Sequence, residues 1–428
     1  MRSTTRWKII IAHPAWILVA AFGTYFCMYG FRKPYTAATY AGVTFFGINY
    51  KMFLIISQTL GYVIAKWLGI KIVSEIKPQE RIVAILSLLA FAELMLLLFG
   101  IVPRPWNILC LFLNGLPLGL IFGLVIRFVE GRNKTEFLIA GLCASFIVSD
   151  GVTKSIGALL LGYGVSENWM PALAGMIFLL PTLIFTSMLA FTPPQTAADI
   201  TKRSVRNPMD ANDRWSFFMK YAPGIIGVTM VYLFATLLRS VRADFAVELW
   251  TGLGYNKTPQ LFTQSELLVS FGIIIVIGLA VLIRNNYNAF RFSLFISVAG
   301  FFIVLLTVLD LNLGLDKFYF MVLVGLGVYI PYVAIHAIVF ERLIAITRER
   351  ANVGFLIYVA DSVGYTGYII LLLFRYLAPS TDSVLSIFLN ICVYMGIAGV
   401  LILIFCLLYF YNKLIANKKR INNLIIQK

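Results

Sequence analysis

The chain has 428 residues, of which 60% are apolar and 13% charged, with a mean hydropathy of +0.89 and a formal net charge of +16. That much apolar sequence exceeds what a soluble core needs and excludes an ordinary soluble globular protein. The Lys and Arg residues are dispersed over many short connectors rather than gathered on one face, which argues against a nucleic-acid partner.

Apolar runs long enough to span ~30 Å of hydrocarbon lie at 14–39, 51–74, 82–102, 105–129, 136–163, 170–192, 218–245, 262–284, 290–310, 317–341, 351–378 and 383–411. They predict an all-α polytopic membrane protein of about twelve helices. The first run follows a basic start, as a signal peptide would. It is too long for one and lacks a small-residue cleavage site, so it reads as a retained first helix.

Between these runs the basic residues alternate. One side carries Arg2, Arg6 and Lys8, then Lys71, Lys77 and Arg81, then Arg132 and Lys134, and then Lys202, Arg203, Arg206 and Arg214. It continues with Arg284 and Arg291, Arg348 and Arg350, and finally Lys413, Lys418, Lys419 and Arg420. The other side has little beyond Lys51, Arg104, Lys257 and Lys317. Basic residues near helix ends stay on the cytoplasmic side, so both termini are predicted to be cytoplasmic and the membrane to be the inner (plasma) membrane. The organisation reads as a six-helix bundle over 1–192, a polar cytoplasmic linker over 193–217, a second bundle over 218–412 and a basic tail over 413–428.

Inside this apolar background two arginines stand out. Arg32 ends the stretch from Tyr25 through Tyr29, and Arg239 ends a stretch from Tyr232, so each has a tyrosine seven positions earlier and the two lie about half a chain apart. An intramembrane charge is costly unless it faces a wet cavity or a counter-charge, so both are candidate functional residues. Tyr25, Tyr29 and Arg32 fall at i, i+4 and i+7, and Tyr62 and Lys66 at i and i+4, which gives each helix a polar, aromatic and cationic face. A guanidinium presents a planar fork of donors to two oxygens of a phosphate, and two forks from opposite halves can hold one dianion. The alternative for Arg32 is a boundary position, since it lies ~27 Å along a straight helix counted from Pro14.

Other polar residues carry open alternatives. Arg242 and Lys33 read as interfacial anchors. Asp150 and Lys154, one turn apart, either neutralise each other or form a charge pair that opens and closes with transport. Asp361 is either the counter-ion of a base on another helix or a protonatable coupling site. His336 packs against Tyr329 or Tyr332, bonds a backbone carbonyl, or contacts substrate, and Glu93 has no assigned role. The five cysteines, Cys27, Cys110, Cys143, Cys392 and Cys406, show no ligand spacing and read as small core residues, and no cofactor or metal is expected.

Val148 to Val152 around Asp150 and Val359 to Val363 around Asp361 echo each other between the halves. Two six-helix halves joined by a polar middle loop are the plan of the major facilitator superfamily. Within it the chain resembles the organophosphate:phosphate antiporter branch, the group of the bacterial glycerol-phosphate and hexose-phosphate transporters. The resemblance rests on Tyr25, Tyr29 and Arg32-Lys33 in helix one, and on Tyr62 and Lys66 followed by Gly69, Glu75 and Arg81 around the end of helix two. It extends to Arg239 with Asp244 in helix seven, and to Pro331, His336-Ala337 and Glu341 in helix ten. The chain departs from that pattern in helix five, where Asp150 and Lys154 stand in place of a histidine, and in the loop after helix two, where Glu75-Ile76 replaces an Asp-Arg pair. The resemblance implies substrate binding by Arg32, Arg239, Lys66, Tyr25, Tyr29, Tyr62 and His336. Coupling or gating falls to Asp150, Lys154, Asp361, Gly69, Glu75 and Arg81.

Three classes of function follow. The first is a secondary transporter, expected to act as a monomer, that exchanges a phosphate ester or other small anion for inorganic phosphate. Its runner-up is proton-coupled symport of a sugar, nucleoside or cell-wall fragment, with Asp150 or Asp361 carrying the proton. The second class is a transporter-like receptor for a phosphorylated metabolite. The third, a membrane enzyme, is disfavoured, since the sequence holds no HExxH, no GxSxG and no Walker A motif.

Overall fold

A computed structural model of the chain describes Ile11, residues 13–129, Arg132, and residues 135–193, 211–255, 258–311, 313–347, 353–377 and 383–426. Most of the 193–217 connector and several residues of the charge pattern lie outside the described residues: Arg2, Arg6, Lys8, Lys134, Lys202, Arg203, Arg206, Lys257, Arg348 and Arg350. The described residues are mostly helical, and their many long apolar helices mark a membrane-embedded protein. Among the described residues eleven helices are long and apolar enough to cross a bilayer, and a shorter apolar helix precedes them.

The helices are α1 (Pro14–Gly30), α2 (Tyr50–Glu75), α3 (Arg81–Ile101), α4 (Asn107–Val129), α5 (Thr135–Gly162) and α6 (Met170–Ala190). They continue as α7 (Ala211–Asp244), α8 (Gln260–Leu282), α9 (Asn286–Leu311), α10 (Lys317–Ala334), α11 (Val353–Leu377) and α12 (Val384–Ile426). A seven-residue helix, Ala246–Gly252, follows α7. Long apolar sequence takes this form because lipid offers no partner to backbone N–H and C=O groups, and a helix satisfies both within one segment.

Two elements depart from the apolar runs. The 14–39 run yields a helix of only 17 residues, after which the chain turns and makes a 3-10 turn at Pro34–Ala37. Lys33 N still bonds the Tyr29 carbonyl at 2.9 Å, and Pro34, which supplies no N–H, cannot carry that pattern past Lys33. A hairpin of two short strands, Thr44–Phe45 and Ile48–Asn49, then leads into α2. The tenth run is longer than its apolar core, because α10 passes through a π-helical turn at Ile335–Val339 and continues helically over Phe340–Thr347. Pro331 stands one turn before that wide turn, where a helix loses a backbone bond.

Helix partners repeat between the two halves. α1 packs against α4, α5 and α6, as α7 packs against α10, α11 and α12. The α2–α4, α3–α4 and α3–α6 contacts recur as α8–α10, α9–α10 and α9–α12. Across the halves the principal contacts are α5 with α8 and α2 with α11. Some of these packings are backbone to backbone. A Cβ added at Gly61 of α2 would fall 2.2 Å from the Phe112 carbonyl oxygen, and one at Gly115 of α4 would fall 2.2 Å from that of Gln58.

The helix ends that flank the Lys- and Arg-rich connectors are here termed the basic face. There Arg342, after the π turn, bonds Glu136 at the start of α5 and Asn286 at the start of α9. At the far face Lys51, opening α2, pairs with Glu248 beyond α7, and Ser155 of α5 bonds the carbonyl of Pro259. The exterior is apolar, with Phe271, Phe295, Phe302 and Leu401 exposed on α8, α9 and α12. Buried ion pairs instead join the halves, Lys33 to Asp244, Lys51 to Glu248 and Lys66 to Asp361. All five cysteines are buried and unpaired.

Candidate functional site

The turn that ends α1 is fixed from both sides. Gln58 of α2 donates through Nε2 to the Arg32 carbonyl at 2.9 Å and to Asn114 Oδ1 at 2.8 Å. Asn114 of α4 donates through Nδ2 to the carbonyls of Phe31 at 3.1 Å and Ala92 at 2.9 Å. Carbonyls that the interrupted helix leaves without partners are thus satisfied by two amides, and a satisfied buried network holds a single geometry. Arg32 therefore projects from a clamped turn just beyond α1, not from the helix itself.

Its guanidinium lies over Tyr62, with Cζ 3.9 Å from the ring centroid, and 5.6 Å from Tyr29. Arg239, one turn before the end of α7, lies over Tyr332 at 4.6 Å and beside Phe146 at 5.9 Å. Both approach the ring of Tyr365, at 5.9 Å for Arg32 and 5.7 Å for Arg239, and Arg239 Nη2 donates to the Tyr365 hydroxyl at 2.9 Å. Tyr365 packs edge-on against Tyr62, with ring centroids 5.0 Å apart. It is the central residue of the 25-residue α11, about 18 Å from either end at 1.5 Å per residue.

The two arginines are 4% and 6% exposed, and each Nε lacks a hydrogen-bond partner among the described residues. Among those residues neither forms an ion pair with a carboxylate, whereas Lys33, Lys51, Lys66, Lys154 and Arg242 all do. Aromatic faces attract cations but carry no net charge, so positive charge is left over at this point.

Tyr25 packs against Tyr29, Phe122 and Phe146, with centroids 5.8, 5.2 and 6.4 Å away, and so forms a wall of the same compartment. One turn toward the basic face, Lys66 Nζ meets Asp361 Oδ2 at 2.9 Å. Asp361 thus has its counter-ion on another helix, one of the two alternatives its sequence allowed. Its Oδ1 accepts a hydrogen bond from the Tyr232 hydroxyl. With its proton given to Asp361, Tyr232 accepts from His336 Nδ1 at 3.2 Å, which assigns the Nδ1–H tautomer. His336 Nε2 has no partner among the described residues, and the ring stands edge-on to Phe122 with centroids 5.2 Å apart. His336 also stacks on Tyr332 at 5.9 Å, and it belongs to the π turn, a feature frequent at functional positions.

Toward the far face lies a charge cluster. Lys33 bonds Asp244, which also accepts from Tyr368 at 2.9 Å, and Arg242 bonds Glu266 at 2.5 Å and the Met321 carbonyl at 3.0 Å. Lys33 and Arg242 are therefore not interfacial anchors: they are 7% and 2% exposed and paired inside the bundle. Sequence spacing hid this because their carboxylates come from other elements. Asp150 and Lys154 bond each other on α5, while Asp150 Oδ1 has no partner among the described residues. Gly151 between them lets α5 approach α8, since a Cβ there would lie 2.4 Å from the Phe262 carbonyl oxygen.

The remaining expected residues lie at the basic face, away from the arginines. Gly69 faces Leu120 and Tyr358, so there the tail of α2 meets α11 of the other half. Glu75 is exposed at the end of α2, and Arg81 opens α3 with its guanidinium 6.0 Å from the Phe128 ring.

A cavity of about 40 Å³ lies between the halves, lined by Lys66, Phe122, Thr135, Glu341, Tyr358 and Asp361. It is large enough for a few waters and too small for an organic anion. The arginines are enclosed on both sides, by Lys66–Asp361 and Arg342–Glu136 toward the basic face and by Lys33–Asp244 and Lys51–Glu248 toward the far face.

Tyr365, Gln58 and Asn114 were not apparent from sequence. Tyr365 had one usable signal, since it stands four residues after Asp361 as Lys66 stands four after Tyr62, and α2 and α11 pair these residues reciprocally. Residues 34–413 match the family described as "Family of unknown function (DUF5690)". No curated protein matches the chain.

Proposed function

We propose that this chain, which belongs to the DUF5690 family, is a secondary transporter of a small anion, with a phosphate ester exchanged for inorganic phosphate as the leading case. The observation that carries this reading is the pair of buried guanidiniums, Arg32 and Arg239, drawn from the two halves and lacking any carboxylate among the described residues. Lys33, Lys51, Lys66, Lys154 and Arg242 around them each have one; these two keep their charge for a ligand. A phosphate dianion satisfies both with bidentate bonds that an ammonium cannot make.

In this reading α1 and the eleven long helices form two six-helix halves of the major-facilitator type, with both termini cytoplasmic in an inner membrane. The recurring helix partners support that plan. Transport proceeds by rocking of the halves about the arginines, with the ion pairs on the two sides breaking in turn. Arg32 and Arg239 grip the anion. Tyr62, Tyr29 and Tyr25 wall the site, and Lys66 adds a point charge when Asp361 releases it. Asp150, Lys154, Gly69, Glu75 and Arg81 serve the movement rather than the grip. No enzymatic step is involved.

The test is counterflow in liposomes preloaded with inorganic phosphate, with labelled phosphate outside, comparing the unaltered protein with Arg32→Lys and Arg239→Lys. Exchange that collapses in both variants supports the reading. Absence of exchange by folded protein rejects phosphate antiport and turns attention to proton-coupled symport and to the receptor function. Full exchange by either lysine variant rejects the paired grip.

A further inference from the structure

Among the described residues one oxygen accepts a hydrogen bond from the otherwise unpaired guanidiniums, and it is the hydroxyl of Tyr365, 2.9 Å from Arg239 Nη2. Tyr365 is 5% exposed, and its ring lies 5.9 Å from the Arg32 Cζ and 5.7 Å from that of Arg239. Its ring thus lies close to both cations, while its hydroxyl is engaged by Arg239. A neutral phenol is a weaker acceptor for a guanidinium than a phosphate oxygen, because only one partner of the bond is charged.

We propose that Tyr365 is a displaceable internal ligand: its hydroxyl occupies Arg239 while the site is empty and yields to the incoming anion. This rests on the reading that Arg32 and Arg239 bind an anion, and it specifies how that site is kept when unoccupied. The hydroxyl stabilises a charge that would otherwise be buried and bare, so the empty protein can close. It also competes with the anion, which holds affinity below what two free arginines would give. Weaker binding favours release, as a carrier requires.

The same residue connects occupancy to closure. Asp361, one turn before Tyr365 on α11, bonds Lys66 of α2, and Tyr365 itself packs on Tyr62 of α2. An anion that moves Tyr365 off Arg239 therefore acts on the helical turn that carries the ion pair toward the basic face. Tyr365 is a positioning residue in this scheme, and its effect on affinity has a sign opposite to that of a residue that grips the anion.

The experiment is equilibrium binding of labelled inorganic phosphate to the purified full chain in detergent, with Tyr365→Phe and Tyr365→Leu beside the unaltered protein, each first shown to be monodisperse. Removal of a competing bond to a charged group is expected to tighten phosphate binding about 3- to 10-fold in Tyr365→Phe. Phosphate exchange in liposomes is expected to slow, as release becomes limiting. Tyr365→Leu, which removes the ring as well, reports the same sign if the phenylalanine variant fails to fold. Phosphate bound by the unaltered protein but with equal or lower affinity by the variants overturns the internal ligand and leaves the anion site standing. Binding by none of the three overturns the anion site and the internal ligand together. Binding seen only in the variants supports both.

Discussion

Lys66 and Asp361, drawn from opposite halves of the chain, form a buried ion pair of 2.9 Å one helical turn from Tyr62 and Tyr365. The pair is 2% and 3% exposed at its side chains, and Tyr232 bonds the second carboxylate oxygen. Its worth lies in the cost of breaking it from one side. Asp361→Asn leaves Lys66 buried without a counter-charge, for which a loss of roughly 3–5 kcal/mol is expected. Thermal unfolding in detergent checks this, and Lys66→Met combined with Asp361→Leu is expected to recover most of the loss. A single variant as stable as the unaltered protein would show that the pair does not hold the halves.

The arginines predict the reverse. Each carries buried charge that no carboxylate among the described residues offsets, so Arg239→Gln removes a standing cost. The empty protein is expected to gain on the order of 1–3 kcal/mol while anion binding is lost. Melting temperature and phosphate binding, measured on the same preparation, separate the two effects. A variant that loses both stability and binding would mean that Arg239 is held by bonds within the fold and is not reserved for a ligand.

Glu93 of α3 is 6% exposed, and both of its carboxylate oxygens lack partners among the described residues. It lies against Gly175 of α6. A buried carboxyl with nothing to bond costs stability in either protonation state. Glu93→Gln is expected to be neutral and Glu93→Leu to raise stability by about 1 kcal/mol or more, with phosphate exchange intact. Loss of exchange in Glu93→Leu would instead assign the carboxyl a part in transport.

Gly151 sets how near α5 and α8 come on the far-face side. Because a Cβ there meets the Phe262 carbonyl oxygen at 2.4 Å and Glu266 Cβ at 2.9 Å, Gly151→Leu must push the helices apart. A cost of about 1–3 kcal/mol is expected. A cysteine placed at Ser155, which in the unaltered chain bonds Pro259 and Thr263 across the halves, is then expected to react faster with a membrane-impermeant maleimide. An unchanged labelling rate would show that the contact does not limit far-face opening.

The helices were legible because lipid-facing and buried surfaces are both apolar, so each span reads as one uninterrupted run. Arg32, Arg239, Lys66 and Asp361 stood out for the same reason, as charges against that background. What the runs could not reveal was company. Lys33 and Arg242 resembled boundary residues because Asp244 and Glu266 reach them from other elements, and the Lys33–Asp244 bond spans 211 residues. Nor did hydropathy mark the end of α1, since the first apolar run carries on past Gly30 and through the turn that precedes Pro34. Tyr365 is one of 21 tyrosines, and only its register against α2 distinguishes it.

Because α1 stops at Gly30, Arg32 sits at the carbonyl end of a helix, where the aligned peptide dipoles sum to about half a negative charge. Its compensation is a diffuse field fixed in the backbone, which no incoming group has to displace. Arg239 lies farther inside α7 and leans on a hydroxyl that can move away. The paired cations are therefore unequal in kind, one steadied by the scaffold and one by a side chain, and the second is the one placed to register an arriving charge.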